Sequence, residues 1–209
     1  MLGIEHYTVF IVTGILLNLT PGSDTIYILS RTIAQGKKAG IISVMGIISG
    51  ALIHTLFAAF GLTIILMNSS LTFTVIKWLG AGYLIYLGIK AIKEKSNPID
   101  IEKQIHHNPR SIFTQGFLTN VLNPKVALFF LAFLPQFISP GNEYGALPFI
   151  VLGLTFIVTG TCWCLILVLL SDFMSHRIRR SGIASYLNKI TGAVFILLGL
   201  NLLRANRGN

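Results

Sequence analysis

In the middle of the first apolar run, residues 18–25 read NLTPGSDT. The surrounding run, residues 4–30, is otherwise long and apolar enough for a membrane helix, which takes about 20 mostly apolar residues. A proline inside a helix removes one backbone hydrogen bond and clashes with the preceding turn. The sequence therefore predicts a membrane helix that is broken at Pro21 and Gly22, with polar groups beside the break.

The composition of the whole chain indicates that its apolar residues face lipid. Of its 209 residues, 53% are hydrophobic and 11% are charged, whereas about a quarter of the residues of a soluble domain are charged. Six apolar runs reach spanning length: residues 4–30, 40–67, 71–92, 112–138, 147–170 and 187–203. We therefore predict an all-α polytopic membrane protein, a single domain over residues 1–209 with six transmembrane helices. A five-span layout with a re-entrant first segment is the alternative.

The two halves of the chain resemble each other. NLTP at residues 18–21 interrupts the first run, and NVLNP at residues 120–124 interrupts the fourth. Runs three and six begin with KWLGAGYL at residues 77–84 and KITGAVFI at residues 189–196. Because each half has three spans, the second half enters the membrane from the opposite side. We predict two inverted three-helix repeats, at about residues 1–92 and 112–209, joined by a connector at 93–111; chance similarity is the alternative.

The distribution of basic residues predicts the orientation. The chain has a net charge of +9, and most Lys and Arg lie in the connectors after runs one, three and five, the first of which includes Arg31, Lys37 and Lys38. The positive-inside rule places these connectors in the cytoplasm and both termini outside. Because this distribution accounts for the excess charge, we do not expect nucleic acid as a partner.

Polar side chains at the two breaks are the leading candidates for binding a substrate or a proton. These residues are Asn18, Asp24, Asn120, Asn123 and Lys125, next to the helix-break residues Pro21, Gly22 and Pro124. Ionisable groups are costly in a membrane unless they are paired, so we expect Asp24 to pair with Lys125. Alternatively, Asp24 binds a substrate ammonium or a proton and Lys125 a carboxylate, or both lie shallow enough to reach water. Ser23 is also placed to cap a second helical segment.

Further candidates lie inside the predicted spans. His54 is near the middle of run two; histidine titrates near pH 6.5 and suits a proton carrier, while a core histidine bonded to a backbone carbonyl is the alternative. Tyr83 and Tyr86 share a helix face and suggest a polar lining, with core packing as the alternative. Gly46 and Gly50 form a GxxxG spacing, which predicts close helix packing.

Taken together, the motifs resemble those of the LysE/RhtB amino-acid exporters. They are NLTPGSDT at residues 18–25, QGKKAG at 35–40, GALIH at 50–54, KWLGAGYLIYLG at 77–88 and NPKVALFF at 123–130. Ser23 departs from the family, which often has a second proline at that position.

The resemblance implies a secondary exporter of amino acids or small derivatives, such as threonine, homoserine or leucine, in the bacterial inner membrane. It implies transport driven by the proton-motive force, with alternating access around a midplane site. We expect no enzymatic activity and no cofactor or metal. The expected partners are an amino acid, protons and the lipid bilayer, and a homo-oligomer is left open.

Other classes of membrane protein fit less well. Cys162 and Cys164 point about 200° apart on one helix, which argues against a thiol-redox protein. A channel or cation exporter would carry several intramembrane carboxylates, and only Asp24 is placed for that role. An exporter of another small solute, or a membrane protein without a transport function, stays as the alternative.

Overall fold

A computed structural model of the chain describes residues 2–62, 108–139 and 141–171, with single helical positions between 78 and 93 and between 189 and 200. These residues are helical apart from turns and one antiparallel bridge between Ile4 and Ile138. Most of predicted spans three and six, most of the connector at 93–111, and Tyr83 lie outside the described residues. The six-span layout and the inverted repeats therefore remain predictions.

The described ranges contain six α-helices, two of which continue in other helical forms. They are α1 (Tyr7–Leu19), α2 (Ser23–Gln35), α3 (Lys37–Leu56), α4 (Pro109–Val121), α5 (Pro124–Leu128) and α6 (Leu147–Leu169). A π-helix at Phe57–Leu62 continues α3. A π-helix at Phe129–Phe133 and a 3-10 helix at Leu134–Phe137 continue α5.

By length and composition, the described part of the chain contains two helices, or up to four segments if each bent pair counts as one, that could cross a membrane. The extended α3 (Lys37–Gly61) and α6 are each long and apolar enough to cross alone. The α1–α2 pair is bent by 50°, and α4 is bent by 44° from the arm Pro124–Phe137; each pair passes the same test as one broken span. Both bends fall at the prolines that predicted them, so the all-α membrane class and the two breaks are confirmed.

Each uninterrupted helix packs against the bent helix pair of the other half. The most extensive contact in the described chain is between α3 and α4, and α6 packs on both α1 and α2. The order of a bent pair followed by an uninterrupted helix occurs twice. This reciprocal packing is compatible with the predicted inverted repeats, and α3 also packs on α2 of its own half.

The surface of α6 is suited to contact lipid. Only 22% of its most apolar window is buried, and Leu154, Val158 and Leu169 are exposed. The protein interior instead contains an aromatic cluster, which consists of Phe10, Phe129, Phe130, Phe133, Phe137 and Phe156. Its rings come from both halves of the chain, so the cluster holds α1, the α5 arm and α6 together.

Gly46 and Gly50 lie where α3 meets α4. A β-carbon at Gly46 would overlap the carbonyl oxygen of Phe113, and one at Gly50 would lie 2.8 Å from Cβ of Asn120. Neither obstacle is the flexible end of a side chain. The GxxxG pair therefore brings two helix backbones together, one of which carries Asn120 to the second break.

Replacing Gly46 with alanine should destabilise the protein, because the new methyl group forces α3 away from α4. Overpacking of this kind costs about 1–3 kcal/mol, which thermal unfolding in detergent would measure as a lower Tm. Gly61→Ala is the matched control, since a β-carbon there meets nothing within 4 Å. Equal Tm values for the two variants would contradict the close packing of α3 on α4.

Candidate functional site

Lys125 satisfies the backbone carbonyls at the first break. Pro21 has no N–H, so the carbonyl of Leu17, four residues earlier, loses its regular helical partner. Lys125 donates from Nζ to this oxygen at 3.2 Å and to the carbonyl oxygen of Thr20 at 3.1 Å. A β-carbon at Gly22 would lie 3.2 Å from Nζ, so glycine leaves the space that Lys125 occupies.

His54 has the corresponding role at the second break. Pro124 removes the regular helical partner of the Asn120 carbonyl, and Nε2 of His54 lies 3.1 Å from that oxygen. Because a carbonyl oxygen only accepts, Nε2 carries the hydrogen. The ring also stacks on Phe130 at 5.8 Å between centroids. This is the structural alternative that the sequence left open, and a proton-carrier role for His54 stays a prediction.

Asp24 joins the first break to the second. Its half-buried carboxylate lies in the first turn of α2 and accepts a hydrogen bond at 2.8 Å from Nδ2 of Asn120 and another at 3.0 Å from Nδ2 of Asn123. Asn123 also caps α5 by accepting from the backbone N–H of Lys125 at 3.0 Å. Both asparagines are buried, so the carboxylate is held by two donors with little freedom to turn away.

The direct ion pair that we expected between Asp24 and Lys125 is not formed. Within the described residues, the Asp24 carboxylate binds the two asparagine amides, whereas the Lys125 ammonium binds backbone carbonyls. The two charges attract each other through space. The physical reason is that each group has its own partners in the opposite half, which are amide donors for the carboxylate and backbone carbonyls for the ammonium. The expected side-chain cap of α2 is also wrong, because its N-cap is Gly22 and Ser23 lies inside the helix.

A cavity of about 50 Å³ lies between the two breaks. Its wall contains four of the predicted site residues, which are Asn18, Asp24, Asn120 and Lys125. Apolar side chains of α3 and α6, including Ile47, Ala51 and Phe156, complete it. The volume is room for a few water molecules, so the cavity is nearly closed in this conformation.

Two buried polar atoms on residues of the cavity wall have no hydrogen-bond partner in the described part of the chain. They are Oδ1 of Asn120, an acceptor, and Nε1 of Trp163, a donor. A buried polar group left without a partner costs about 1–3 kcal/mol. The residues of the cavity wall therefore include a carboxylate, an ammonium, and two side chains that each carry an unpaired polar atom.

Packed side chains flank the cavity in two directions. Phe156 is on the cavity wall and stacks on Phe129 of the aromatic cluster at 4.6 Å. In the other direction, α2 is tied to α4 by a hydrogen bond of 2.7 Å from the Tyr27 hydroxyl to the carbonyl of Ile112. The cavity thus lies between the aromatic cluster and the hydrogen-bonded contact of α2 with α4.

The remaining predicted residues lie elsewhere. Pro21, Gly22 and Pro124 shape the gap between the bent pairs. Gly46 and Gly50 belong to the α3–α4 contact and not to the cavity wall. Tyr86 is 56% exposed, and Tyr83 lies outside the described residues.

The sequence as a whole matches one known family. A model of the family described as LysE type translocator matches residues 15–206. The chain belongs to the LysE type translocator family. No solved structure was found to match it.

Curated relatives of this LysE-family chain extend over nearly its full length. It is 32% identical over 200 residues to the uncharacterized membrane protein YrhP of Bacillus subtilis, covering 91% of this chain and 95% of that protein. It is 31% identical to the homoserine/homoserine lactone efflux protein of Salmonella typhimurium, covering 96% and 97%. It is 29% identical to the leucine efflux protein of Klebsiella pneumoniae, covering 93% and 92%.

Sequence reasoning missed several polar residues around the site of this LysE-family protein. Trp163 and Thr161 lie in a run that reads as apolar, and only the four-residue spacing of Thr155 and Thr159 indicated a polar face on α6. Arg31, which we assigned to a connector, is 2% exposed and lies inside α2, because that helix extends to Gln35.

Reversing both charges of the pair should leave most of the stability that the single reversals lose unrestored. In Asp24→Lys an ammonium would face the amide donors of Asn120 and Asn123, and in Lys125→Asp a carboxylate would face two carbonyl oxygens. Leaving a buried charge without partners costs about 3–5 kcal/mol, so each single variant and the double variant should melt well below the wild type. A double variant that melts close to the wild type would instead indicate a direct ion pair.

Proposed function

We propose that this protein exports small neutral amino acids or close derivatives across the bacterial inner membrane. The observation that carries the proposal is the cavity between the two breaks, which has a carboxylate from one bent pair and an ammonium from the other on its wall. The named relatives, which are efflux proteins for leucine and for homoserine and its lactone, support the same substrate class.

An amino-acid zwitterion matches the groups that the cavity offers. Its ammonium would bind the Asp24 carboxylate and the free Oδ1 of Asn120. Its carboxylate would bind Nζ of Lys125 and the free Nε1 of Trp163. Charge-assisted hydrogen bonds are about twice as strong as neutral ones, so these four contacts would orient the main-chain groups of the substrate.

The apolar part of the wall favours a small or aliphatic side chain. Ile47, Ile48, Ala51 and Ile157 offer no charged partner for a substrate side chain. A cationic side chain would therefore need to give up its water without compensation, which is costly. This is the physical basis for preferring leucine-like and homoserine-like substrates over lysine or arginine.

Substrate binding would loosen the bonds that hold the two breaks together. The ammonium competes with the amides of Asn120 and Asn123 for Asp24, and the carboxylate competes with the carbonyls of Leu17 and Thr20 for Lys125. A ligand that replaces these bonds lets one bent pair move against the other. Alternating access around a midplane site then follows as a rocking of the two halves.

We assign the coupling proton to Asp24, which is the carboxylate on the cavity wall. The ionised form attracts the substrate ammonium, and the protonated form does not. A proton entering from outside would therefore displace the substrate, and its release into the cytoplasm would restore the binding form. Lys37 and Lys38 at the start of α3 support a cytoplasmic position for that face, with both termini outside.

The test is export from proteoliposomes loaded with labelled leucine, homoserine, threonine or lysine, with and without an imposed pH gradient. We expect gradient-dependent export of one or more of the neutral amino acids and little export of lysine. Asp24→Asn should lower the rate at least tenfold, because it removes both the ammonium partner and the proton site.

Glu143→Gln is the matched control, because Glu143 is an exposed carboxylate in the connector before α6. It should export at the wild-type rate. Unchanged export by Asp24→Asn would remove Asp24 from the site, and a lack of export of every amino acid by folded, inserted protein would contradict the proposed function.

A further inference from the structure

A cleft lies where α2 contacts α4, and it is separate from the cavity between the breaks. Its volume is about 550 Å³, and it is a shallow cleft that is open on one side. The polar residues on its wall are Ser23, Tyr27, Arg31, Gln115, Thr119 and Asn123. Of these, only Asn123 was among the candidates predicted from the sequence.

Arg31 is an incompletely satisfied charge in this cleft. The side chain is 2% exposed, and its Nη2 donates to Oε1 of Gln115. Its Nε and Nη1 are buried and have no hydrogen-bond partner in the described chain. The guanidinium also lies over the Tyr27 ring, at 5.4 Å from the ring centroid, a contact that offsets only part of the burial cost.

The unpaired N–H groups of Arg31 are suited to a carboxylate. A guanidinium presents its donors as a planar fork that matches the two oxygens of a carboxylate. No described carboxylate of this chain binds it, because its one hydrogen-bond partner is the neutral amide of Gln115. A ligand carboxylate in the cleft would supply the missing partner once the side chain turns toward it.

The cleft leads from Arg31 toward the cavity. Ser23, Tyr27 and Arg31 are spaced by four residues and share one face of α2. Arg31 is seven residues beyond Asp24, about 10 Å along the helix axis, which is too far for one small amino acid to bind both. Asn123 lines the cleft and also donates to Asp24, so it connects the two sites.

We propose that the Arg31 cleft is a separate subsite that binds the carboxylate of an amino acid before it enters the cavity. This proposal rests on the proposed function for the identity of the ligand. Because α2 ends four residues after Arg31 and α3 begins with Lys37 and Lys38, an amino acid arriving from the predicted cytoplasmic side reaches Arg31 before Asp24.

The binding test uses the full-length protein in an uncharged detergent and needs no transport. Thermal unfolding is followed during titration with sodium acetate, against sodium chloride at equal ionic strength. We expect acetate to raise the Tm of the wild type, and the half-maximal acetate concentration to rise about tenfold or more in Arg31→Gln. Arg110→Gln, which removes an exposed arginine near the start of α4, should bind acetate like the wild type.

The Gln115→Glu variant distinguishes a ligand-binding role of Arg31 from a purely structural role. The new carboxylate would bind the Arg31 guanidinium, so the variant should melt above the wild type in the absence of ligand. It should also lose the Arg31-dependent response of the Tm to acetate. In proteoliposomes that export leucine, the same variant should raise the half-saturating internal leucine concentration and keep the maximal rate. A more stable Gln115→Glu protein with an unchanged acetate response would overturn the proposal.

A lipid headgroup is the other anion that could reach this cleft, since Leu122 on its wall is 75% exposed. Phosphatidylglycerol added to the detergent distinguishes the two. Stabilisation by this lipid that depends on Arg31, with no response to acetate, would overturn the assignment to a carboxylate. Equal acetate binding by Arg31→Gln and Arg110→Gln would also overturn it, whether or not the protein exports amino acids.

Discussion

The rest of the structure depends on how the carbonyls at the two proline breaks are satisfied. The Leu17 carbonyl keeps a backbone donor in the N–H of Thr20 at 3.2 Å, and the Asn120 carbonyl keeps one in the N–H of Asn123 at 2.9 Å. Each of the two oxygens also accepts a second hydrogen bond from the other half of the chain. Lys125 from the second half satisfies the first break, and His54 from the first half satisfies the second. The two halves are therefore held to each other by the same groups that make each broken helix possible, and Asp24 adds two further bonds across the gap.

Under the proposed function, this exchange would let a binding site and a moving part coincide. The charged groups that stabilise the closed gap are the groups that a zwitterion would bind, so a substrate competes with bonds between the halves. The glycine contact between α3 and α4 holds one end of the second break in place, and the aromatic cluster holds the α5 arm against α1 and α6. In the proposed transport cycle, movement would then be directed to the breaks themselves.

The positions of the two breaks and several residues of the cavity could be predicted from the sequence, because proline and glycine have local effects that do not depend on the fold. NLTPGSDT and NVLNP placed both breaks, and polar neighbours of the prolines supplied four of the cavity residues. The hydrogen-bond partners of these residues could not be predicted, since nothing local in the sequence shows that Lys125 binds carbonyls while the two asparagines bind Asp24. Arg31 was misplaced for a related reason, because a basic residue at the end of an apolar run looks like a connector unless the helix end is known.

The most direct test asks whether an amino acid occupies the cavity between the breaks. Cys164 lines that cavity, and Cys162→Ser leaves it as the only cysteine of the chain. The rate at which a membrane-permeant maleimide modifies Cys164 would be measured with and without the amino acid that the same vesicles export. We predict that the amino acid slows the reaction, and that Asp24→Asn abolishes this protection. Modification at the same rate with a transported amino acid present would contradict a binding site at the breaks.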